Sequence, residues 1–215
     1  MRLFLSSQDL GNHGKKAAEL AGQNKRVAFL KNAQDFKPPE ERNLSTPEKR
    51  RMFLEAGFEY FEEIDLRDFF GQPHKLLNKL SNFGSLWSSG GNTLILRRAL
   101  ASSGLDEILK KLLKEDRLLY GGWSAGAMIM TPDLKGPIWS EEDRADIIPA
   151  GYDSKVIWDG LNLVPFYIVP HFGSKMHGNS PQELVDYYKS KKLRHYILKD
   201  GQVVVIDGDK EELLK

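Results

Sequence analysis

Leu118-Leu119-Tyr120-Gly121-Gly122-Trp123-Ser124-Ala125-Gly126-Ala127-Met128 is an apolar run, then a glycine-flanked serine, then a second apolar run. The first run reads as a buried strand and the second opens a helix over residues 125–130. Between them lies Gly122-x-Ser124-x-Gly126. A serine that attacks carbonyl carbon must stand clear of the backbone on a sharp strand-to-helix turn. Small residues two before and two after it keep strand and helix from colliding. Gly122, Ala125 and Gly126 supply them here. The helix start also sets backbone N–H groups beside the hydroxyl, where they can stabilise an oxyanion. A tight turn with an incidental serine has the same local pattern, so the rest of the chain must supply the partners.

Outward from this stretch, short apolar runs alternate with longer amphipathic ones. Strands are expected at residues 3–5, 27–30, 58–66, 85–87, 118–120, 164–169, 196–199 and 202–206. Helices are expected at 11–21, 46–57, 74–80, 92–101, 105–114 and 181–189. Thr46-Pro47-Glu48 has the form of a helix start, with Thr as the cap and Pro at the first helical position. Strand-then-helix alternation predicts an α/β fold: three layers, α/β/α, around a mostly parallel central sheet. Residues 131–160 are the least regular part and read as a long loop near the site.

Composition narrows the function. The chain has 215 residues, enough for one α/β domain spanning 1–215. Net charge is +1, which gives no pull toward nucleic acid or an anionic membrane. No apolar run approaches the ~20 residues of a membrane span. The first residues carry too short an apolar core for a signal peptide, so a cytoplasmic location is expected. There is no cysteine, which excludes disulfides, thiolate metal sites and a cysteine nucleophile.

A serine nucleophile needs a base. His171 closes the run Val164-Pro165-Phe166-Tyr167-Ile168-Val169-Pro170. Ligands of open parallel sheets bind beyond the carboxyl ends of the strands, so His171 is placed to meet Ser124. His13, His74 and His195 fall in helix-start or helix-end contexts, and His177 is the reserve. No carboxylate sits at ligand spacing between His171 and His177, so no metal is expected. The third member orients the imidazole. Asp200, after the strand 196–199, and Asp146, in the irregular segment, both qualify.

Trp87-Ser88-Ser89-Gly90-Gly91-Asn92-Thr93 is a second glycine turn between a strand and a helix. It lacks the lysine and spacing of a phosphate-binding loop. It reads as a loop that gives the Gly91 N–H to an oxyanion, with Gly90 and Asn92 against substrate. A plain turn capped by Asn92 is the alternative.

Three blocks together resemble the dipeptidase E family of serine peptidases, the group of aspartyl dipeptidase and, more distantly, cyanophycinase. They are Ser89-Gly90-Gly91-Asn92-Thr93, Gly122-Trp123-Ser124-Ala125-Gly126-Ala127, and Gly160-Leu161-Asn162-Leu163-Val164-Pro165 continuing to Pro170-His171-Phe172. The resemblance runs from the first strand to Gly208 and implies a fold like class I glutamine amidotransferase domains. It implies Ser124 as nucleophile, His171 as base, Asp200 in the place of the family's late acidic residue, the Gly91 and Ala125 N–H groups as oxyanion hole, and a cofactor-free reaction. It also implies a short peptide substrate, dipeptides with an N-terminal Asp among them, and a monomer or homodimer. The arginine that aspartyl dipeptidases use for the acidic side chain has no clear counterpart; Pro181 lies near its place and Lys175 is a nearby point charge.

Two other readings use the same residues. An α/β-hydrolase esterase shares Gly-x-Ser-x-Gly but runs serine, acid, histidine, and so requires Asp146. A non-catalytic amidotransferase-like binding module would keep the fold and leave Ser124 out of reach of every histidine.

Overall fold

The computed structural model describes residues 1–137 and 143–215. Its centre is a seven-stranded sheet in the order β3-β2-β4-β5-β1-β8-β9. The strands are β1 (Arg2–Ser6), β2 (Arg26–Leu30), β3 (Tyr60–Glu63), β4 (Ser85–Ser88), β5 (Leu119–Trp123), β8 (Val203–Asp207) and β9 (Lys210–Leu214). The first five run parallel, while β8 is antiparallel to β1 and β9 to β8. Two further strands, β6 (Tyr167–Val169) and β7 (His195–Ile197), pair in parallel as a small separate sheet.

Side chains alternate across the large sheet with the period of two that a strand imposes. Leu3, Leu5, Ala28, Leu30, Leu86, Tyr120, Val204 and Ile206 face one layer. Phe4, Val27, Phe29, Trp87, Leu119, Val203 and Val205 face the other. The first layer is built from α4 (Pro73–Leu80), α5 (Thr93–Ser103), α6 (Leu105–Lys114) and α7 (Ala125–Met128). The opposite layer holds α1 (Gly14–Leu20) and α3 (Thr46–Ala56), with the short α2 (Pro39–Asn43) before α3. The small sheet sends Phe166, Ile168 and Leu198 into the first layer's core. Its other face packs Tyr167 and Val169 against Leu184, Val185 and Tyr188 of α8 (Ser180–Ser190).

The three-layer α/β expectation holds, with four differences. The strand ending at His171 belongs to the small sheet rather than the central one. The expected strand over 58–66 shortens to four residues, because Phe58 is taken into the left-handed stop of α3 at Gly57 (φ 105°). His195, expected at a helix end, lies in β7. β9 was not expected at all: Lys-Glu-Glu-Leu-Leu has no alternation, since as an edge strand it presents charge to solvent. Of the irregular segment 131–160, residues 138–142 lie outside the described residues. Among the described residues no helix is long and apolar enough to cross a membrane.

Candidate active site

The carboxyl ends of β1, β2, β4, β5, β6 and β7 converge on one open cavity of about 650 Å3. Ser124 leaves β5 at φ 50° and ψ −117°, a backbone region that L residues occupy only under constraint. The constraint is packing. A Cβ on Gly122 would lie 2.4 Å from the carbonyl oxygen of Gly126, and one on Gly126 would lie 2.3 Å from that of Ser88. Strand and helix therefore touch backbone to backbone, and the serine between them is forced outward. Its N–H donates to the Ser6 carbonyl on the neighbouring strand at 3.2 Å. The Tyr120 hydroxyl donates to the Gly126 carbonyl at 2.8 Å and fixes the first turn of α7.

The glycine loop after β4 lies against this elbow. A Cβ on Gly90 would fall 3.0 Å from Ser124 Cβ and 3.4 Å from its Oγ. Gly91 sits at φ 138°, where a Cβ would meet the Ala33 carbonyl oxygen at 2.4 Å. Gln34 Nε2 holds the Gly90 carbonyl at 3.2 Å. The N–H groups of Ser89 and Asn92 are taken by the Leu30 and Ala33 carbonyls. Among the described residues those of Gly91 and Ala125 have no backbone acceptor. Asn92 does not line the cavity. It is fully buried, its Oδ1 accepting from the Ile95 N–H at 2.8 Å and its Nδ2 donating to the Arg144 carbonyl at 3.0 Å. The expectation that Asn92 touches substrate is therefore corrected: a side chain that caps α5 from inside is not available to the cavity.

His171 follows β6 and lines the same cavity as Ser124. It too has a left-handed backbone, at φ 56°. Its Nδ1 lies 2.7 Å from Asp200 Oδ1, which comes from the loop after β7. A carboxylate only accepts, so Nδ1 carries the proton and Nε2 is left as the basic nitrogen. The ring also stacks on His177, with centroids 4.3 Å apart. Asp146, the rival acid, is two-thirds exposed and forms an ion pair with Arg144. That pairing, which also holds its carboxyl below the usual range, places it outside the cavity lining. The acid that the esterase reading requires is thus not at the cavity, and no other described acid between Ser124 and His171 lines it.

Sequence reasoning passed over several residues of the site. Ser7, fully buried after β1, accepts from the His171 N–H at 2.7 Å and donates to Asp200 Oδ1 at 2.8 Å. Lys31 and Lys49 stand on the cavity wall. Lys49 Nζ pairs with Asp9 Oδ1 at 2.7 Å. Lys31 is buried, which lowers its amine, although Glu63 at 3.7 Å opposes the shift. Lone lysines and a serine after an apolar run carry no pattern that marks them in the sequence.

Residues 7–214 match the family model of peptidase family S51. The chain belongs to peptidase family S51. It is 29% identical over 168 residues to an uncharacterized peptidase of Pasteurella multocida, covering 78% of this chain and 75% of that one. It is also 29% identical over 136 residues to a Drosophila melanogaster protein named as an alpha-aspartyl dipeptidase, covering 60% and 52%. A crystal structure of a Listeria monocytogenes protein assigned to peptidase E superposes with a TM-score of 0.79. That match covers 100% of this chain and 98% of the other at 22% identity, and it carries the fold alone. Family membership makes the chain a serine-type peptidase of the peptidase E group, and the binding-module reading falls with it.

Proposed function

We propose that this S51 peptidase hydrolyses short peptides, dipeptides foremost, through an acyl-enzyme on Ser124. The observation that carries the reading is the 2.7 Å pairing of His171 Nδ1 with Asp200 at the cavity onto which the Ser124 elbow also opens. In the first step His171 Nε2 takes the Ser124 proton as Oγ attacks the scissile carbonyl carbon. The carbonyl electron pair moves onto oxygen, where the Gly91 and Ala125 N–H groups receive it. Collapse breaks the C–N bond, and His171 returns the proton to the leaving amine. Water then repeats the sequence on the acyl ester, with His171 again as base, and frees the acid. Asp200 stays ionised throughout and stabilises the imidazolium.

The dipeptide preference draws on the dipeptidase relative named above and on the charges at the cavity. Asp9 and Lys49, paired with each other at 2.7 Å, put a carboxylate and an ammonium on the cavity wall, a pair with which the two termini of a short peptide can exchange. The test is a dipeptide library, with N-terminal Asp peptides included, assayed against the parent protein and Ser124→Ala. The parent is expected to cleave dipeptides in preference to longer chains. The variant is expected to lose turnover by at least about 10³-fold, with its melting temperature unchanged. Equal turnover by Ser124→Ala would remove the mechanism, and preferential cleavage of long peptides would remove the substrate class.

A further inference from the structure

The nucleophile and its base come from different sheets. Ser124 leaves β5 of the large sheet, whereas His171 and Asp200 follow β6 and β7 of the small one. Among the described residues no strand pairing joins the two sheets. Core packing of Phe166, Ile168 and Leu198 seats the small sheet on the first layer, and the polar contacts that join the two halves of the site gather on two adjacent residues at the end of β1. The Ser6 carbonyl takes the Ser124 N–H. The Ser7 hydroxyl takes the His171 N–H and gives its own proton to Asp200.

We propose that Ser7 is a positioning residue for the general base, its buried hydroxyl locking the His171–Asp200 pair to the strand that anchors the nucleophile. The inference rests on the peptidase reading above. A hydroxyl has one proton to donate. Asp200 Oδ1 at 2.8 Å is the better acceptor than the Leu198 carbonyl at 3.4 Å, so the proton goes to the carboxylate. The lone pairs then face the His171 N–H at 2.7 Å. That second bond holds a non-glycine residue in the left-handed region, which is strained without a compensating contact. The same carboxylate oxygen accepts from His171 Nδ1. One buried hydroxyl thus sets the backbone of the base and the direction of its ring together. Removing it leaves a buried N–H without that acceptor and takes away one of the two donors that hold Asp200 Oδ1.

The experiment compares the parent, Ser7→Ala and Ser7→Thr, with Ser124→Ala as reference, on the best dipeptide found above. Ser7→Ala is expected to lower kcat by about 10- to 100-fold through misplacement of the base. Its KM should stay within twofold, since Ser7 is closed off from the cavity. The low-field proton resonance of His171 Nδ1–H should move upfield or broaden in Ser7→Ala. Ser7→Thr, which keeps the hydroxyl, should restore both readouts at least in part. If Ser7→Ala does not fold, Ser7→Cys, close in volume and weak in hydrogen bonding, replaces it in the same comparison. A kcat within twofold of the parent, a fall in kcat with the resonance unmoved, or a change in KM alone would each overturn the role of Ser7. Turnover by Ser124→Ala would instead overturn the peptidase reading, so the two failures are distinguishable.

Discussion

At the scale of single residues, two carboxylates separate by what surrounds them. Asp200 meets His171 Nδ1 at 2.7 Å and a buried hydroxyl at 2.8 Å, so both of its donors come from the site. Asp146 spends its charge on Arg144 at the surface. The expected consequence is a sharp contrast between two chemically equal substitutions. Asp200→Asn keeps the shape but presents an amide to the imidazole, which favours the wrong tautomer. It should lower kcat by about three to four orders of magnitude. Asp146→Asn should leave kcat within about twofold and the melting temperature within about a degree, as expected of an exposed pair. Steady-state kinetics on one dipeptide decides it, and similar losses in both variants would reopen the choice of acid. The sequence could not make that choice. Both aspartates follow plausible elements, and the deciding contact joins residues far apart in the chain. The elbow at Ser124 was legible because Gly122, one of its glycines, is required by a backbone contact only four residues away. Ser7 goes unmarked in the sequence, and Asn92 is misplaced by it, for the opposite reason: where their side chains point is set by distant packing.

At the scale of elements, the segment from β2 to the turn after β3 is held by a buried charge network behind the cavity wall. Arg42 Nε lies 2.9 Å from Asp35 Oδ1, and its Nη1 lies 3.2 Å from Asp65 Oδ2. Burial alone would raise the Asp65 carboxyl. Hydrogen bonds from the Arg67 side chain and backbone and from Asn32, with the Arg42 charge, outweigh burial and hold it down at about 2. A carboxyl depressed in the folded state stabilises the fold above its unfolded value and loses that contribution as pH falls through its folded value. For Asp65 the window lies between about pH 4 and 2, and the linkage amounts to roughly 2 kcal/mol. Asp35 runs the other way: burial raises it, so its ionised form works against the fold near neutrality, and acid relieves it. Asp65→Asn should therefore be less stable than the parent at pH 7, by about 4–8 °C in melting temperature for a chain of this size. The gap should narrow as the pH approaches 2. Thermal melts at pH 7, 4 and 2.5 measure it; a gap independent of pH would show that the lost bonds, not the charge, matter. The helix Thr46–Ala56 was visible in the sequence through Pro47, but its cap was not: Ser45 precedes the helix without a side-chain cap bond, and the Thr46 hydroxyl donates to Glu63 instead. β9 was not visible. A helix announces its ends locally; an edge strand is defined by its partner.

At the scale of the whole molecule, the proposed catalytic residues stand on two sheets of unequal depth. Ser124 and the glycine loop stand on five parallel strands packed on both faces, with Phe4, Phe29, Phe53, Trp87 and Trp123 in one aromatic group. His171 and Asp200 stand on two strands of three residues each, and β7 is only half-buried along its length. Parallel alternation made the first body readable from the chain. The second is not separable from it in the sequence, because three apolar residues before a histidine look the same in either sheet. Local opening free energies follow buried contacts and ladder length, so the two bodies should open at different costs. Amide hydrogen exchange on the native protein should show β1 and β5 protected near the global limit. β6, β7 and α8 should exchange faster by at least about tenfold. In a urea titration, peptidase activity should then decline before the fluorescence of the buried tryptophans changes. Coincident transitions, with equal protection in both sheets, would mean that the strand-end contacts at Ser6 and Ser7 weld the two bodies into one cooperative unit. The Ser7→Ala protein separates these cases further: if the weld is the hydroxyl, exchange in β6 and β7 should quicken while β5 keeps its protection.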